Sequence, residues 1–85
     1  MIIDVRSARE YASGHVPGAV HLPFWKILSG HLLPSAARSD GLVVYCEHGP
    51  RAWIAKTALR LRGIRGVGLL QGHMRAWRKA GKPLA

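Results

Sequence analysis

Acidic side chains are scarce in this sequence. Its 85 residues hold four Asp and Glu against thirteen Lys and Arg, a formal net charge of +9. Cysteine is scarcer still. Cys46 stands alone, which excludes an intramolecular disulfide framework and any cysteine-cluster metal site. A lone thiol suits a reducing compartment, so a cytoplasmic location is expected. No apolar stretch approaches the roughly 20 residues that a membrane-spanning helix needs. Met1-Ile2-Ile3-Asp4 has neither the basic start nor the apolar stretch of a signal peptide, and none is expected. His15, His21, His31 and His73 are scattered, with no His-x-x-x-His spacing, which argues against a metal site. There is no internal repeat and no low-complexity segment.

What is present fits one small domain over residues 1–85. Hydrophobic residues make up 48% of the chain, enough for one compact core, although chains this short bury only about 60–65% of their unfolded surface. The charge is lopsided: residues 1–42 have a net charge of +1 and residues 43–85 a net charge of +8, with Glu47 the sole acid of the second half. Cys46 lies in that basic half. A positive field there attracts small anions and favours a thiolate, and it would equally attract nucleic acid or an acidic protein. No stacking-aromatic pattern accompanies Arg60, Arg62, Arg65, Arg75, Arg78, Lys79 and Lys82. They read as a solvated basic face, which argues against nucleic acid.

The pattern along the chain alternates strand and helix. Ile2 to Val5 is apolar enough for a buried strand, interrupted only by Asp4. Ser7-Ala8-Arg9-Glu10 has the form of a capping box, Ser at the N-cap and Glu at N3, opening a short helix that ends near Ser13-Gly14. A Pro17-Gly18 turn leads to a strand at Ala19 to Leu22, stopped by Pro23, then to one or two helical turns over Phe24 to Leu28. Leu32 to Gly41 is mostly loop, with room for one helical turn over Ser35 to Arg38. Leu42 to Tyr45 is a continuous apolar run, as in a central parallel strand covered on both faces. Pro50 stands where a helix can begin. Arg51 to Arg62 has apolar residues at 54, 55, 58, 59 and 61, and Gly63 is placed to cap its end. Gly66 to Leu70 gives a further strand, Gly72 a turn, and His73 to Ala80 a final helix with Trp77 facing inward. The alternation predicts an α/β fold: a small open parallel sheet flanked by helices on both faces.

The chemistry concentrates in Val43-Val44-Tyr45-Cys46-Glu47-His48-Gly49-Pro50-Arg51. An apolar strand ends in the only thiol, and a helix follows within a few residues. Ligands of such sheets bind beyond the carboxyl ends of the strands. The six residues Cys46 to Arg51 must curl so that backbone N–H groups turn inward, with Gly49 free to adopt a conformation closed to other residues. The helix behind adds its positive end. Arg51 brings a fixed charge and a fork of donors suited to an oxyanion. The bland alternative is a buried cysteine ending a core strand before an ordinary turn; the full Cys-x-x-Gly-x-Arg string in a strand–loop–helix context outweighs it.

At this point the chain resembles a rhodanese (sulfurtransferase) domain. Ile3-Asp4-Val5-Arg6 with Glu10-Tyr11 is similar to that family's first motif. Gly14-His15-Val16-Pro17-Gly18-Ala19, continuing through Val20-His21-Leu22-Pro23, is similar to its "GHIPGA…IP" segment. Val43-Val44-Tyr45-Cys46 with Gly49 and Arg51 is similar to its active loop, and Leu70-Gln71-Gly72 with Trp77, Gly81 and Pro83 to its closing motif. Four motifs in the family's order, over nearly the whole chain, are specific together.

The resemblance implies that Cys46 is a nucleophile taking sulfur from a small anionic donor such as thiosulfate and holding it as a persulfide. It implies that Glu47, His48, Gly49, Pro50 and Arg51 bind the sulfur through the loop backbone, with Arg51 orienting the donor's sulfonate. A thiol or cyanide acceptor then removes the sulfur, and neither a cofactor nor a metal is required. Family sulfurtransferases have six residues from Cys to Arg; related phosphatases have seven, usually with His before the Cys. Here the count is six and Tyr45 precedes, which argues for sulfur over a phosphatase or arsenate reductase. A non-enzymatic module, docking an acidic protein or a tRNA-modifying partner in a sulfur relay, is the alternative. Two departures stand out. Only Met1-Ile2-Ile3 precede "DVR", where the family has a further strand and helix. Either the domain is minimal, or part of it is missing, or a partner (a second copy included) covers the exposed edge. Gln71 also replaces a usual Gly.

Outside the loop, Arg6 and Glu10 are spaced for a local ion pair and Asp4 for capping a turn, all three structural. His15 and His21 are read as structural too. The His48 imidazole is expected to face solvent, leaving only its backbone to act. Glu47 either meets Arg51 or a partner, or is solvated. Trp53 either lines the pocket mouth or packs on its helix; Trp25 beside Phe24 either rims the site or packs.

Overall fold

The computed structural model describes residues 1–30 and 41–85. The loop expected over Leu32 to Gly41, and the turn over Ser35 to Arg38, therefore lie almost wholly outside the described residues. Among the described residues, eight elements alternate between strand and helix: β1 (Ile2–Asp4), α1 (Ala8–Ala12), β2 (Val20–His21), α2 (Phe24–Leu28), β3 (Val43–Tyr45), α3 (Pro50–Leu61), β4 (Gly68–Leu69) and α4 (His73–Lys79). All strand pairs are parallel, in the order β2-β1-β3-β4.

Side chains on successive strand positions point to opposite faces, which sorts the apolar residues into two layers. Ile3, Val5, Val44 and Cys46 pack on one face with Ile27 of α2 and with Ala52, Ala55, Ala58 and Leu59 of α3. Ile2 and Tyr45 face the other way, with Tyr11 of α1 and Met74 and Trp77 of α4. The sheet is thus covered by helices on both faces, as the alternation predicts.

The differences from expectation are local. Strands are a residue or more shorter than expected at their ends, although Val5, Leu22 and Leu70 still donate to the neighbouring strands' Tyr45, Asp4 and Val44 carbonyls. On α3 the buried stripe is Ala52, Ala55, Ala58 and Leu59, while Ile54 and Leu61 are exposed. Small alanines let the helix lie close to the sheet, and the bulkier apolar residues fall outside that contact. Trp77 is half-buried, not core: its Nε1–H donates to the Pro83 carbonyl at 2.7 Å and Lys82 lies over its ring.

The chain runs from β1 outward to β2, returns past β1 to β3, and then goes outward to β4. The order reverses between β1 and β3, and the crevice beyond the carboxyl ends of these two strands is where such sheets bind ligands. Cys46 follows β3 directly.

Candidate active site

β3 carries the chain into the crevice and delivers Cys46 with no exposed surface. Gly49 folds back over it with φ at +132°, in the range that L side chains rarely adopt. This fold aims the Gly49 N–H at Sγ, at 2.9 Å. Gly49 is also the N-cap of α3 and Pro50 its first residue, so the position whose N–H would be orphaned carries none. Sγ thus sits on a backbone donor at the positive end of a 12-residue helix.

Both ends of the loop are anchored to the elements behind it. Glu47 pairs with Arg6 at 3.4 Å and with Arg78 of α4. Arg51 gives two nitrogens to Glu10 of α1, at 2.5 and 2.9 Å. Glu10 keeps its capping role as well, accepting from the Ser7 N–H and hydroxyl while its own N–H donates to Ser7 Oγ. The Arg51 fork holds the Glu10 carboxyl down at about 2, well below its usual 4.5. The same bond raises the Arg51 guanidinium further.

Beneath the loop lies a buried polar cluster. Arg6 is 1% exposed and Asp4 not at all. The Arg6 guanidinium donates to both Asp4 oxygens, closest at 2.7 Å, and to the Gly14 carbonyl at 2.8 Å. The Tyr45 hydroxyl donates to Asp4 Oδ2 at 2.9 Å and accepts the Val16 N–H at 3.1 Å. Burial first, with the Asp4 charge added, pushes the Tyr45 phenol well above its ordinary value. Among the described residues no buried side-chain nitrogen or oxygen lacks a partner.

Several expectations change. Arg6 pairs with Asp4 and Glu47, not with Glu10, because residues four apart across a strand-to-helix junction do not share a helix face. Glu47 meets Arg6 and Arg78, not Arg51. Arg51 itself is ion-paired, so an arriving oxyanion meets a guanidinium already shared with Glu10. Asp4 does close a turn, accepting the Arg6 N–H at 2.9 Å. His48 is exposed. His15 and His21 donate to the Tyr11 and Arg6 carbonyls and stack on Tyr11. Trp25 and Trp53 are both exposed; Trp53 carries Lys56 over its ring.

Three contributions escape the sequence reading. The first two are Glu10 as the partner of Arg51 and Arg78 as a partner of Glu47; with so few carboxylates, each one described has its own cation. His73 is the third, buried at the head of α4 with Nδ1 accepting the Cys46 N–H at 3.3 Å. A single His after Gly72 has no spacing to mark it.

A lone thiol on a glycine-folded N–H donor, at the switch point of a parallel α/β sheet, is an arrangement suited to a nucleophile or to holding an anion. The model of the rhodanese-like domain matches residues 1–80, and the chain belongs to that family. It is 31% identical to a sulfurtransferase from Allochromatium vinosum, over 99% of this chain and 77% of that one. It is 32% identical to the chloroplastic thiosulfate sulfurtransferase 16 of Arabidopsis thaliana, over 95% of this chain and 76% of that one. An uncharacterised Synechocystis protein matches at 30%, and there the chain spans 45% of the relative's length. The solved rhodanese-like domain of the Alr3790 protein from Anabaena superposes with a TM-score of 0.80 at 30% identity, covering 100% of this chain and 79% of that one.

Proposed function

We propose that this domain transfers sulfane sulfur through a persulfide on Cys46. The Sγ thiolate attacks the outer sulfur of thiosulfate; the S–S bond breaks and sulfite leaves with the electron pair. The outer sulfur stays on Cys46 as a persulfide anion, within reach of loop N–H groups. A thiol or cyanide acceptor attacks that sulfur in turn, restores the thiolate, and completes a two-step exchange. The observation that carries this reading is the Gly49 N–H on Sγ inside the six-residue loop. The loop from Glu47 to Arg51 holds the transferred sulfur through its backbone N–H groups, Pro50 having none, and Arg51, shared with Glu10, meets the sulfonate.

The thiosulfate-treated protein is expected to gain one sulfur, about 32 Da by mass spectrometry, on the rung of thiol chemistry where a persulfide is reversible. Cyanide or a thiol should then remove it, and Cys46→Ala should abolish both the gain and turnover. Full turnover by Cys46→Ala sinks the reading. The basic surface favours a second form of the same chemistry, in which the acceptor is an acidic protein thiol. A chain that loads sulfur yet turns over cyanide poorly, and unloads quickly onto a protein thiol, would be that relay. Hydrolysis of an aryl phosphate without sulfur loading would instead mark a phosphatase.

A further inference from the structure

His73 has no part in the chemistry above, yet its backbone is strained and its ring enclosed. Among the described residues it is the one non-glycine with positive φ, +55°. A β-carbon strains the backbone in that region, and such strain persists where the surroundings enforce it. The residue is 8% exposed. Its ring lies against the cysteine loop on two sides. The Cys46 N–H donates to Nδ1 at 3.3 Å. A β-carbon at Gly49 would stand 3.5 Å from Nε2, and this is the same Gly49 whose N–H reaches Sγ.

We infer that His73 is a positioning residue for the cysteine loop: its neutral imidazole holds the Cys46 backbone through Nδ1 and backs Gly49 with its Nε2 edge. For the kinetic part of its test this inference rests on the sulfur-transfer reading. An accepting Nδ1 leaves the single proton of the neutral ring on Nε2. Burial, and after it the nearby His48, keep the imidazole below its usual 6.5. Protonation would place a second N–H opposite that of Cys46, donor against donor, and loosen the strand end that carries Sγ. Of the titratable groups, His48 on the loop acts on the ring directly and Cys46 touches it through its N–H; Arg75, two residues along α4, bonds the Glu47 carbonyl through its own N–H. Glu47 is already neutralised by Arg6 and Arg78.

His73→Gly removes the ring and the left-handed strain together. A ring that only fills space predicts a variant with unchanged kcat. A positioning ring predicts a folded variant whose kcat falls on the order of ten- to a hundredfold while KM for thiosulfate moves little. His73→Asn keeps an oxygen acceptor on a side chain that tolerates left-handed backbone, but has no group that titrates. It is expected to recover most of the rate and to lose from the pH profile the step that follows the His73 midpoint, keeping only the one set by the Cys46 thiol. An unchanged kcat in His73→Gly, or a His73→Asn profile identical in shape to the wild type's, overturns the inference. Nitrogen-15 NMR of the wild type tests it without turnover. The ring is expected as the Nε2–H tautomer, with the Cys46 amide shifting at the His73 midpoint, and a Cys46 amide indifferent to that titration overturns it. A wild type that shows this coupling yet loads no sulfur would keep the inference and discard the sulfur-transfer reading.

Discussion

Asp4 and Arg6 are both essentially dry, and each is tolerable only because the other is there. Two charges taken from water cost more than their attraction returns unless further hydrogen bonds complete them, and here Tyr45, Gly14 and the Arg6 backbone do so. Asp4→Ala leaves the buried guanidinium only its longer contact to the part-exposed Glu47, and is expected to cost about 3–5 kcal/mol in denaturant unfolding. Tyr45→Phe removes one hydroxyl between Asp4 and the Val16 N–H, and should cost about 1–3 kcal/mol. The Glu10–Arg51 pair behaves differently because each side chain is about a third exposed. Solvent screening brings its contribution down to about 1 kcal/mol despite the large displacement of the Glu10 carboxyl. Its sign with pH is definite. The folded carboxyl titrates below the unfolded one, so the stabilisation is complete above the ordinary 4.5 and is lost as pH falls toward about 2. Glu10→Gln should therefore lower the melting temperature at neutral pH, and the gap from wild type should close as pH falls through that window.

At the scale of elements, the short helices depend on their ends. α1 has five residues and no buried side chain of its own, and its capping box is the local device that starts it. That box was legible because its two residues are three apart in sequence. α4 starts through a left-handed pair, Gly72 and His73. A β-carbon at Gly72 would stand 2.3 Å from that of Ala76, on a backbone with φ at +70°. Gly72→Ala is expected to destabilise by roughly 2–3 kcal/mol in chemical unfolding. Adding Ala76→Gly should return the steric part and leave the backbone strain. The edges of α3 were legible from Pro50 and Gly63, but its buried face only in part. The apolar set at 54, 55, 58, 59 and 61 contained Ala55, Ala58 and Leu59, which are buried, but also Ile54 and Leu61, which close packing on the sheet leaves exposed, and it missed Ala52.

At the scale of the whole molecule, one offset organises the site. β1 and β3 pair in parallel with Ile2 beside Val43 and Asp4 beside Tyr45, a separation of 41 that also joins the Tyr45 hydroxyl to Asp4. The same separation joins Arg6 to Glu47 and Glu10 to Arg51 beyond the strand ends. Two parallel strands leave the sheet side by side, so matching positions in their following loops meet. The family motifs around Asp4-Val5-Arg6 and around Cys46 are thus two halves of one site. The net charge of +9 acts over the same scale. A positive field raises the local concentration of a dianionic donor and is screened by salt. The kcat/KM for thiosulfate is expected to fall severalfold between about 0.05 and 0.5 M NaCl, with the step to an uncharged thiol acceptor far less affected. Equal salt dependence of both steps would remove the field from the account.

By itself the amino-acid sequence determined the alternation of strand and helix, the six-residue loop from Cys46 to Arg51, the capping box and the family. All of these depend on neighbours a few residues apart or on local apolar pattern. The tertiary structure alone decided which cations meet Glu10 and Glu47, and that His73 lies under the loop. Those contacts span 27 to 41 residues. They exist only once the parallel register of β1 and β3, and the seating of α4 behind the loop, have brought distant segments to the same end of the sheet.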